Sequence, residues 1–172
     1  GTKIFCRGAV WTNADIVDLP GSRERYEPLL KLAADANMNM LRIGGTMTYE
    51  TPDFFALCDE LGLMVWQDFQ FANFDYPAND LAFAENVRKE VSQLLDVTAA
   101  SPSLTILCGG SEIDQQAAML GLPEAAWAGD DVDILAAPHL LSLVNHFKGL
   151  QTLSRPKPAL ARDAAALPDL RD

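Results

Sequence analysis

SLTILCGGSEID, residues 103–114, is the stretch from which the fold of this chain can be inferred. Its apolar run, 104–107, lies between Pro102 and a pair of glycines, a pattern typical of a fully buried strand. Glu112 follows that strand. In α/β proteins with parallel strands, ligands bind and reactions occur beyond the C-terminal strand ends. Ordinary βα turns carry the same pattern, so Glu112 is a candidate catalytic residue whose support has to come from the rest of the chain.

Three further strand patterns precede this stretch, and a helical pattern follows each of them. The strand patterns are KIFCRGAVW (3–11), MNMLRIGG (38–45) and MVWQDF (64–69), and the helical patterns open at Ser22 or Arg23, at Thr51 and at Asp80. In the second helix, Thr51 is expected as the N-cap and Gly62 as the stop. Pro28 fits the first helix only within its first turn. The alternation of strands and helices predicts an α/β fold with a parallel sheet and right-handed crossovers.

The composition excludes several classes of function. The chain has 172 residues, of which 49% are apolar and 22% charged, and this is enough for one domain with a sizeable core. Its net charge of −11 repels phosphate backbones and anionic lipids, so neither nucleic acid nor a membrane is expected as a partner. No apolar run approaches the roughly 18 residues of a membrane span. The sequence does not indicate a cellular compartment.

No metal site and no cofactor site is predicted. Cys6, Cys58 and Cys108 lie far apart in apolar surroundings without CxxC or Cys/His spacing, and we expect buried free thiols rather than a disulfide or a metal site. His139 and His146 have no acid or cysteine at ligand spacing. The glycines do not form a phosphate-binding loop.

The last third of the chain carries weaker patterns. Residues 113–122 continue as a helix from Glu112, 123–133 resemble a loop, and 134–150 are apolar and predicted to be helical with a break at Pro138. The segment beyond has no buried-strand pattern, and we expect a poorly packed tail. The predicted division is a domain at residues 1–147 and an irregular tail at residues 148–172.

Five segments of the chain together resemble one enzyme family. They are NMNMLRIGG (37–45), YE (49–50), FFALCDELGLMVWQDFQFA (54–72), YP (76–77) and SPSLTILCGGSE (101–112). In this order and spacing, from about residue 3 to about residue 127, they resemble the first half of the catalytic barrel of glycoside hydrolase family 2, closest to its β-mannosidase-like branch. The resemblance implies a (β/α)8 barrel that hydrolyses β-glycosides with retention. It also implies an acid/base glutamate after the fourth strand and a nucleophilic glutamate after the seventh.

The predicted fold is therefore a partial (β/α)8 TIM barrel of about four βα units with a helical, poorly packed C-terminal tail. A full barrel needs about 250 residues, and nothing after Glu112 resembles the later strands or the nucleophile. From Lys148 on, the chain does not resemble the family, as expected for a truncated or frame-shifted gene product. The expected partner is a carbohydrate substrate, a β-glycoside. A non-catalytic or vestigial carbohydrate-binding domain is the alternative.

The resemblance implies roles for five residues. Glu112 matches the acid/base position, and Arg42, Trp66 and Asp68 match strand-end positions that line or support the sugar site. Ser111 stands where the family usually has an asparagine that bonds the sugar 2-hydroxyl.

A second departure from the family pattern concerns Gly44. The β-mannosidase pattern tends to have a tryptophan at this position. Because of these two departures, the resemblance does not specify which sugar is bound.

Several of these residues have a second interpretation. As a general acid, Glu112 needs a raised pKa, which apolar strand ends and aromatic loops would supply by desolvation; otherwise it is a solvated helix-cap acid. Asp68 is either a second catalytic carboxylate or a supporting acid paired with Arg42 or Arg7. The rim aromatics either stack on sugar rings or cover the core; they are Trp66, Phe71, Phe74 and Tyr76.

Two architectures fit the alternation. A half barrel has the strand order 1-2-3-4, with helices on one side and Arg7, Arg42, Asp68 and Glu112 at one rim. A complete flavodoxin-like open sheet has an order such as 2-1-3-4 and helices on both faces. The half barrel leaves its first and fourth strands as open edges, so we expect the chain to self-associate through them.

Overall fold

Four parallel strands alternate with helices in the structure, a computed structural model that describes residues 3–113, 115–122 and 150. The elements are β1 (Gly8–Trp11), α1 (Arg23–Asp35), β2 (Met40–Ile43), α2 (Pro52–Leu61), β3 (Met64–Asp68), α3 (Leu81–Thr98), β4 (Leu104–Cys108) and α4 (Gln115–Met119). All neighbouring strands pair in parallel, in the order β1-β2-β3-β4. The predicted α/β fold with a parallel sheet is confirmed. The order is that of the half barrel, and not the 2-1-3-4 order of the open-sheet alternative.

The three long helices cover one face of this sheet. Leu41, Ile43 and Val65 alternate along β2 and β3 and are buried against residues of α1 and α2. This core cluster comprises Trp11, Tyr26, Leu30, Leu41, Ile43, Phe54, Phe55, Leu57, Cys58, Leu63, Val65 and Leu104. A second cluster joins Phe69 to Val91, Leu94 and Leu95 of α3, and Leu107 of β4 packs against both. Because side chains alternate along a strand, the opposite face carries the residues in between.

Local sequence signals set the bounds of α2 and α3. Thr51 is the N-cap of α2, and Gly62 ends the helix with φ of +70°, where a residue without Cβ avoids strain. In α3, the Asp80 carboxylate caps the helix by accepting a hydrogen bond from the Phe83 amide at 2.9 Å. These predictions are confirmed. Pro28 lies inside α1, beyond the first turn in which we expected it; its side chain is exposed, so water can reach the carbonyl that lacks a helical partner.

The first strand is shorter than its sequence pattern suggested. β1 begins at Gly8, and Arg7 lies at its N-terminal end, where its backbone amide donates to the Asn39 side chain at 2.7 Å. The Arg7 guanidinium donates to the Asn37 carbonyl at 3.0 Å, just after α1. Carbonyls at a helix C-terminus attract a cation. The prediction that Arg7 lies at the rim is therefore wrong, because Arg7 is at the opposite end of the sheet.

The three cysteines are free, as predicted, but only one is fully buried. Cys58 is buried in the core, Cys108 is half-buried, and Cys6 is exposed because it precedes β1. The expectation of burial is therefore wrong for Cys6. The elements predicted from residue 123 on, the domain boundary at residue 147 and the tail predicted at 148–172 lie outside the described residues, apart from Leu150, which is exposed. Of the helix predicted at 113–122, the structure has α4.

Candidate functional site

An ion pair joins the neighbouring strands β2 and β3 at their C-terminal ends. The Arg42 guanidinium donates to Asp68 Oδ2 from Nη2 at 2.7 Å and from Nε at 3.2 Å. The Asp68 side chain is fully buried and that of Arg42 is 34% exposed. The hydrogen bond to Asp68 raises the pKa of Arg42, while partial burial opposes the shift. Arg42 is therefore held as a cation. Asp68 is paired with Arg42, as expected of a supporting acid, and not with Arg7.

Trp66 lies beside this pair on the face of the sheet opposite the helices. The guanidinium carbon of Arg42 is 5.0 Å from the Trp66 ring centroid, within the range of a cation–π interaction. The indole Nε1 of Trp66 and Oδ1 of Asp68 are both buried without a hydrogen-bond partner. Such unpaired polar atoms are uncommon in folded proteins and mark places where a ligand or ordered water completes the structure. One donor and one acceptor close to Arg42 are thus unpaired and closed to solvent.

Ser111 joins the end of the fourth βα loop to the same group. Its Oγ accepts a hydrogen bond from Arg42 Nη2 at 3.3 Å. Its backbone pairs with the loop after β3: the Ser111 amide donates to the Phe71 carbonyl at 2.7 Å, and the Asn73 amide donates to the Ser111 carbonyl at 3.1 Å. Ala72 and Ser111 form an isolated parallel bridge. The four predicted residues Arg42, Trp66, Asp68 and Ser111 are therefore close together.

Glu112 follows Ser111 with an unusual backbone conformation. Its φ of +53° lies in the left-handed region, which few residues other than glycine adopt. Conformations of this kind persist where the surrounding structure imposes them, and they cluster at functional sites. The Glu112 charge contributes to the raised pKa of Arg42, as the smallest of its causes, so the carboxylate lies within electrostatic range of the guanidinium. Glu112 thus joins the other predicted residues at the rim.

The burial expected for Glu112 is not observed. Its side chain is exposed, so the apolar strand ends and the aromatic loop within the described residues do not remove it from water. The aromatic loop turns toward α3 instead.

Three backbone segments of the rim meet at the Phe71 carbonyl. A Cβ placed on Gly45 would lie 2.6 Å from this oxygen, and one placed on Gly110 would lie 2.7 Å from it. Gly44 and Gly109, by contrast, face open space. We call Gly45, Phe71 and Gly110 the rim junction. The absence of a side chain at Gly110 thus permits the close approach of the Phe71 backbone.

The aromatic residues of the third loop largely pack on one another. The rings of Phe71 and Tyr76 meet edge to face at 5.0 Å, and Tyr76 stacks on Phe83 of α3 at 6.2 Å. Their geometry favours the core-covering interpretation for Phe71 and Tyr76. Phe74 is 57% exposed, so its ring is accessible to a ligand.

Two acids with structural partners were missed in the sequence. Glu50 is only 4% exposed, accepts a hydrogen bond from Trp11 Nε1 at 2.8 Å and is also bonded by Tyr26 and Asn13. Glu90 accepts from the Tyr49 hydroxyl at 2.7 Å. The segment YE (49–50) belonged to the family resemblance, and this was the signal that could have singled out Glu50.

Clusters of metal-ligating side chains and membrane-spanning helices are two further features by which a chain can carry a function. Within the described residues, no group of three or more His, Cys, Asp and Glu side chains could hold a metal ion. None of the described helices combines the length and the hydrophobicity that crossing a bilayer requires.

Comparison with known proteins shows strong similarity to a segment of one group of enzymes. No protein-family model matches the chain. The chain is 46% identical over 112 residues to the β-mannosidase of Rattus norvegicus, covering 65% of this chain and 13% of the rat protein. The structure of the β-D-mannosidase from Dictyoglomus thermophilum superposes with a TM-score of 0.58 at 41% identity, covering 62% of this chain and 13% of that one.

A more distant structure shares the fold. The Bacteroides uniformis β-glucuronidase 2 superposes with a TM-score of 0.58 at 18% identity, over 70% of this chain and 14% of that one. At this identity the similarity concerns the fold alone. The chain thus spans about an eighth of the length of the proteins that it matches.

Proposed function

We propose that this chain, a homologue of one segment of the β-mannosidases, forms part of the catalytic domain of an enzyme that hydrolyses β-glycosides, β-mannosides in particular, with retention. The observation that carries the proposal is the position of Glu112, in the loop after the fourth strand and within electrostatic range of Arg42, in a chain that is 46% identical over 112 residues to a β-mannosidase. A β-mannoside is the substrate that the names of the similar proteins support.

The fold supports this assignment as part of a (β/α)8 barrel. The order β1-β2-β3-β4, the parallel pairing and the three long helices on one face are what four consecutive units of such a barrel require. Val10, Arg42, Trp66 and Ile106 are in register across the opposite face. In a closed barrel this face becomes the interior, and the strand ends form the catalytic rim.

Glu112 is assigned the role of general acid and base. In retaining hydrolysis, one carboxyl protonates the leaving glycosidic oxygen while a second attacks the anomeric carbon; the first then deprotonates the attacking water. The nucleophile of this reaction matches no residue of the present sequence. Asp68 is bound to Arg42 by two hydrogen bonds, which favours a supporting role for it over nucleophilic attack.

The other predicted residues are assigned to substrate binding. Arg42, Trp66, Asp68 and Ser111 form one connected group at the rim. The Arg42 side chain is 34% exposed and can donate hydrogen bonds to a sugar hydroxyl, whereas the unpaired Trp66 N–H and Asp68 Oδ1 are closed to solvent. Arg42 also orients Asp68 and Ser111 toward a common site.

The test is Glu112→Gln in the full-length enzyme. Because a general acid contributes about 10²–10⁴-fold to the rate, we expect kcat/KM on a natural β-mannoside to fall by that order, and kcat/KM on an activated aryl β-mannoside to fall less, since that leaving group departs without a proton. Glu85→Gln, at an exposed acid of α3, is the matched control and should leave both rates unchanged.

Two results would contradict the proposal. Unchanged hydrolysis of natural β-glycosides by the Glu112→Gln variant would show that Glu112 is not the acid. We also expect the 172-residue chain alone to turn over almost nothing, because it lacks the second carboxyl. Fast turnover by this chain would mean that a second catalytic carboxylate is present, and Asp68 would be the first to mutate.

A further inference from the structure

We infer that Tyr76 is a positioning residue for Glu112, an inference that rests on the acid/base role proposed above. The Tyr76 hydroxyl accepts a hydrogen bond from the Ala72 amide at 3.0 Å and donates one to the Ala72 carbonyl at 3.2 Å. A single side-chain group therefore satisfies both backbone polar groups of one loop residue.

Ala72 lies at the centre of one contact between the third loop and the fourth. It pairs with Ser111 in the isolated bridge, and the hydrogen bonds from Ser111 to Phe71 and from Asn73 to Ser111 lie on either side of it. Ser111 directly precedes Glu112. The hydroxyl of Tyr76 is thus connected to the Glu112 backbone through a short series of hydrogen bonds, without touching the Glu112 side chain.

The tyrosine ring is itself fixed by α3. It stacks on Phe83, in the first turn of the helix, at a centroid distance of 6.2 Å and meets Phe71 edge to face at 5.0 Å. The Asp80 cap holds the same turn by accepting a hydrogen bond from the Phe83 amide. The position of the hydroxyl is therefore set by a helix, which is more rigid than the loop that the hydroxyl binds.

The two residues that need this support have unfavourable backbone conformations. Asn73 has φ of +65° and Glu112 has φ of +53°, and each is next to a member of the Ala72–Ser111 pair. Asparagine tolerates the left-handed region, but a glutamate there is strained and is maintained by the contacts around it. Because Glu112 is exposed, packing does not fix its side chain, and the backbone determines where the carboxyl lies.

Hydrogen exchange on the 172-residue chain tests the structural part. In Tyr76→Phe the ring packing is kept and both hydrogen bonds are lost, so we expect the Ser111 and Asn73 amides to exchange at least about tenfold faster. The Val65 amide, within the sheet, should not change. Tyr49→Phe is the matched control: it also removes a hydroxyl with two hydrogen bonds, to Glu90 and from Gln70, and should leave Ser111 exchange unchanged.

Kinetics of the full-length enzyme test the functional part. For Tyr76→Phe we expect kcat on a natural β-mannoside to fall about tenfold or more, with KM nearly unchanged and with a smaller loss on an activated aryl β-mannoside. The basic limb of the pH–rate profile, which reports the general acid, should shift as well. A structural role alone would lower the rates on both substrates equally and leave the pH profile in place.

The outcomes separate this inference from the proposed function. The positioning role would be overturned if Tyr76→Phe left the exchange of the Ser111 and Asn73 amides unchanged, or if it lowered the rates on both substrates equally. A large effect of Glu112→Gln would still support the acid assignment in that case. If Glu112→Gln has no effect, the proposed function is wrong, and so is the inference that Tyr76 positions Glu112 for catalysis. Faster exchange together with a selective loss on natural substrates would support both.

Discussion

At the scale of single residues, β3 shows which features of the site its sequence could predict. The apolar run through Trp66 with an acid at its end predicted the strand and the rim position of Asp68, because neighbouring parallel strands end at one edge. Gln67 between them could not be predicted as buried. It faces the helices, where its Nε2 donates to the Asp68 carbonyl at 2.7 Å while Oε1 has no partner. Tertiary packing, which a local pattern does not contain, decided its burial.

Cys58 gives a residue-scale prediction about alkaline pH. Burial in the core raises the pKa of its thiol from 9.0 to about 12. The folded-state pKa lies above the unfolded value, so the stabilisation is fully present below about pH 9 and is lost as the pH rises toward 12. The free energy of unfolding should fall by up to about 1.4 kcal/mol per pH unit in this range.

Replacing Cys58 tests this contribution. Cys58→Ala should flatten the decrease in urea-measured stability between pH 9 and 11, and the remaining slope is expected from Tyr26 and Tyr49, whose pKa values burial also raises. Cys6→Ala, at an exposed thiol, is the control and should keep the original slope. Identical slopes in both variants would show that Cys58 does not ionise in this range.

At the scale of elements, helix ends were predictable and the start of β1 was not. Gly62 acts within the last turn of its own helix, so its residue type carries the information, whereas the Thr51 side chain makes no capping hydrogen bond. The start of β1 depends on contacts with the segment between α1 and β2. In that segment, Asn37 and Asn39 accept hydrogen bonds from Arg7, and Asn39 donates one to the Phe5 carbonyl. A contact across about thirty residues leaves no local pattern.

The rim junction gives a prediction at the element scale. Gly45→Ala would place a Cβ 2.6 Å from the Phe71 carbonyl and 2.9 Å from the Phe69 carbonyl, both backbone atoms. We expect a loss of about 1–3 kcal/mol in the free energy of unfolding, since the loop must shift. Gly44→Ala is the neighbouring control: its Cβ would meet nothing within 4 Å, and the change should stay within about 0.5 kcal/mol. Equal urea midpoints for the two variants would rule out the tight contact.

At the scale of the whole molecule, the sheet has two open edges and one uncovered face within the described residues. β1 and β4 each have a strand neighbour on one side only, and Val10, on the face opposite the helices, is 59% exposed. Open strand edges favour association with other chains. The net charge of −11 opposes it, but salt screens charges that are more than about 10 Å apart.

We therefore expect the chain to self-associate, and to do so more strongly at high salt. Sedimentation velocity should show dimers or larger species whose fraction rises with protein concentration and with added NaCl. Val10→Lys, which places a charge on the uncovered face, should shift the distribution toward monomer. Val97→Lys, at a residue of α3 that is 53% exposed, should not. A monodisperse, cooperatively unfolding monomer at all salt concentrations would contradict the prediction.

The strand order also has a consequence for how the chain is made. Strands that are neighbours in the sequence are also neighbours in the sheet, so β2, β3 and β4 each pair with the strand that precedes them. During synthesis on the ribosome, every new βα unit therefore meets a partner that has already left the exit tunnel, and no strand has to wait for a distant one. As the sheet grows in the direction of translation, each new strand covers the edge of the previous one, while the edge of β1 stays open. The edge of β4 is where the next unit of a longer protein would join.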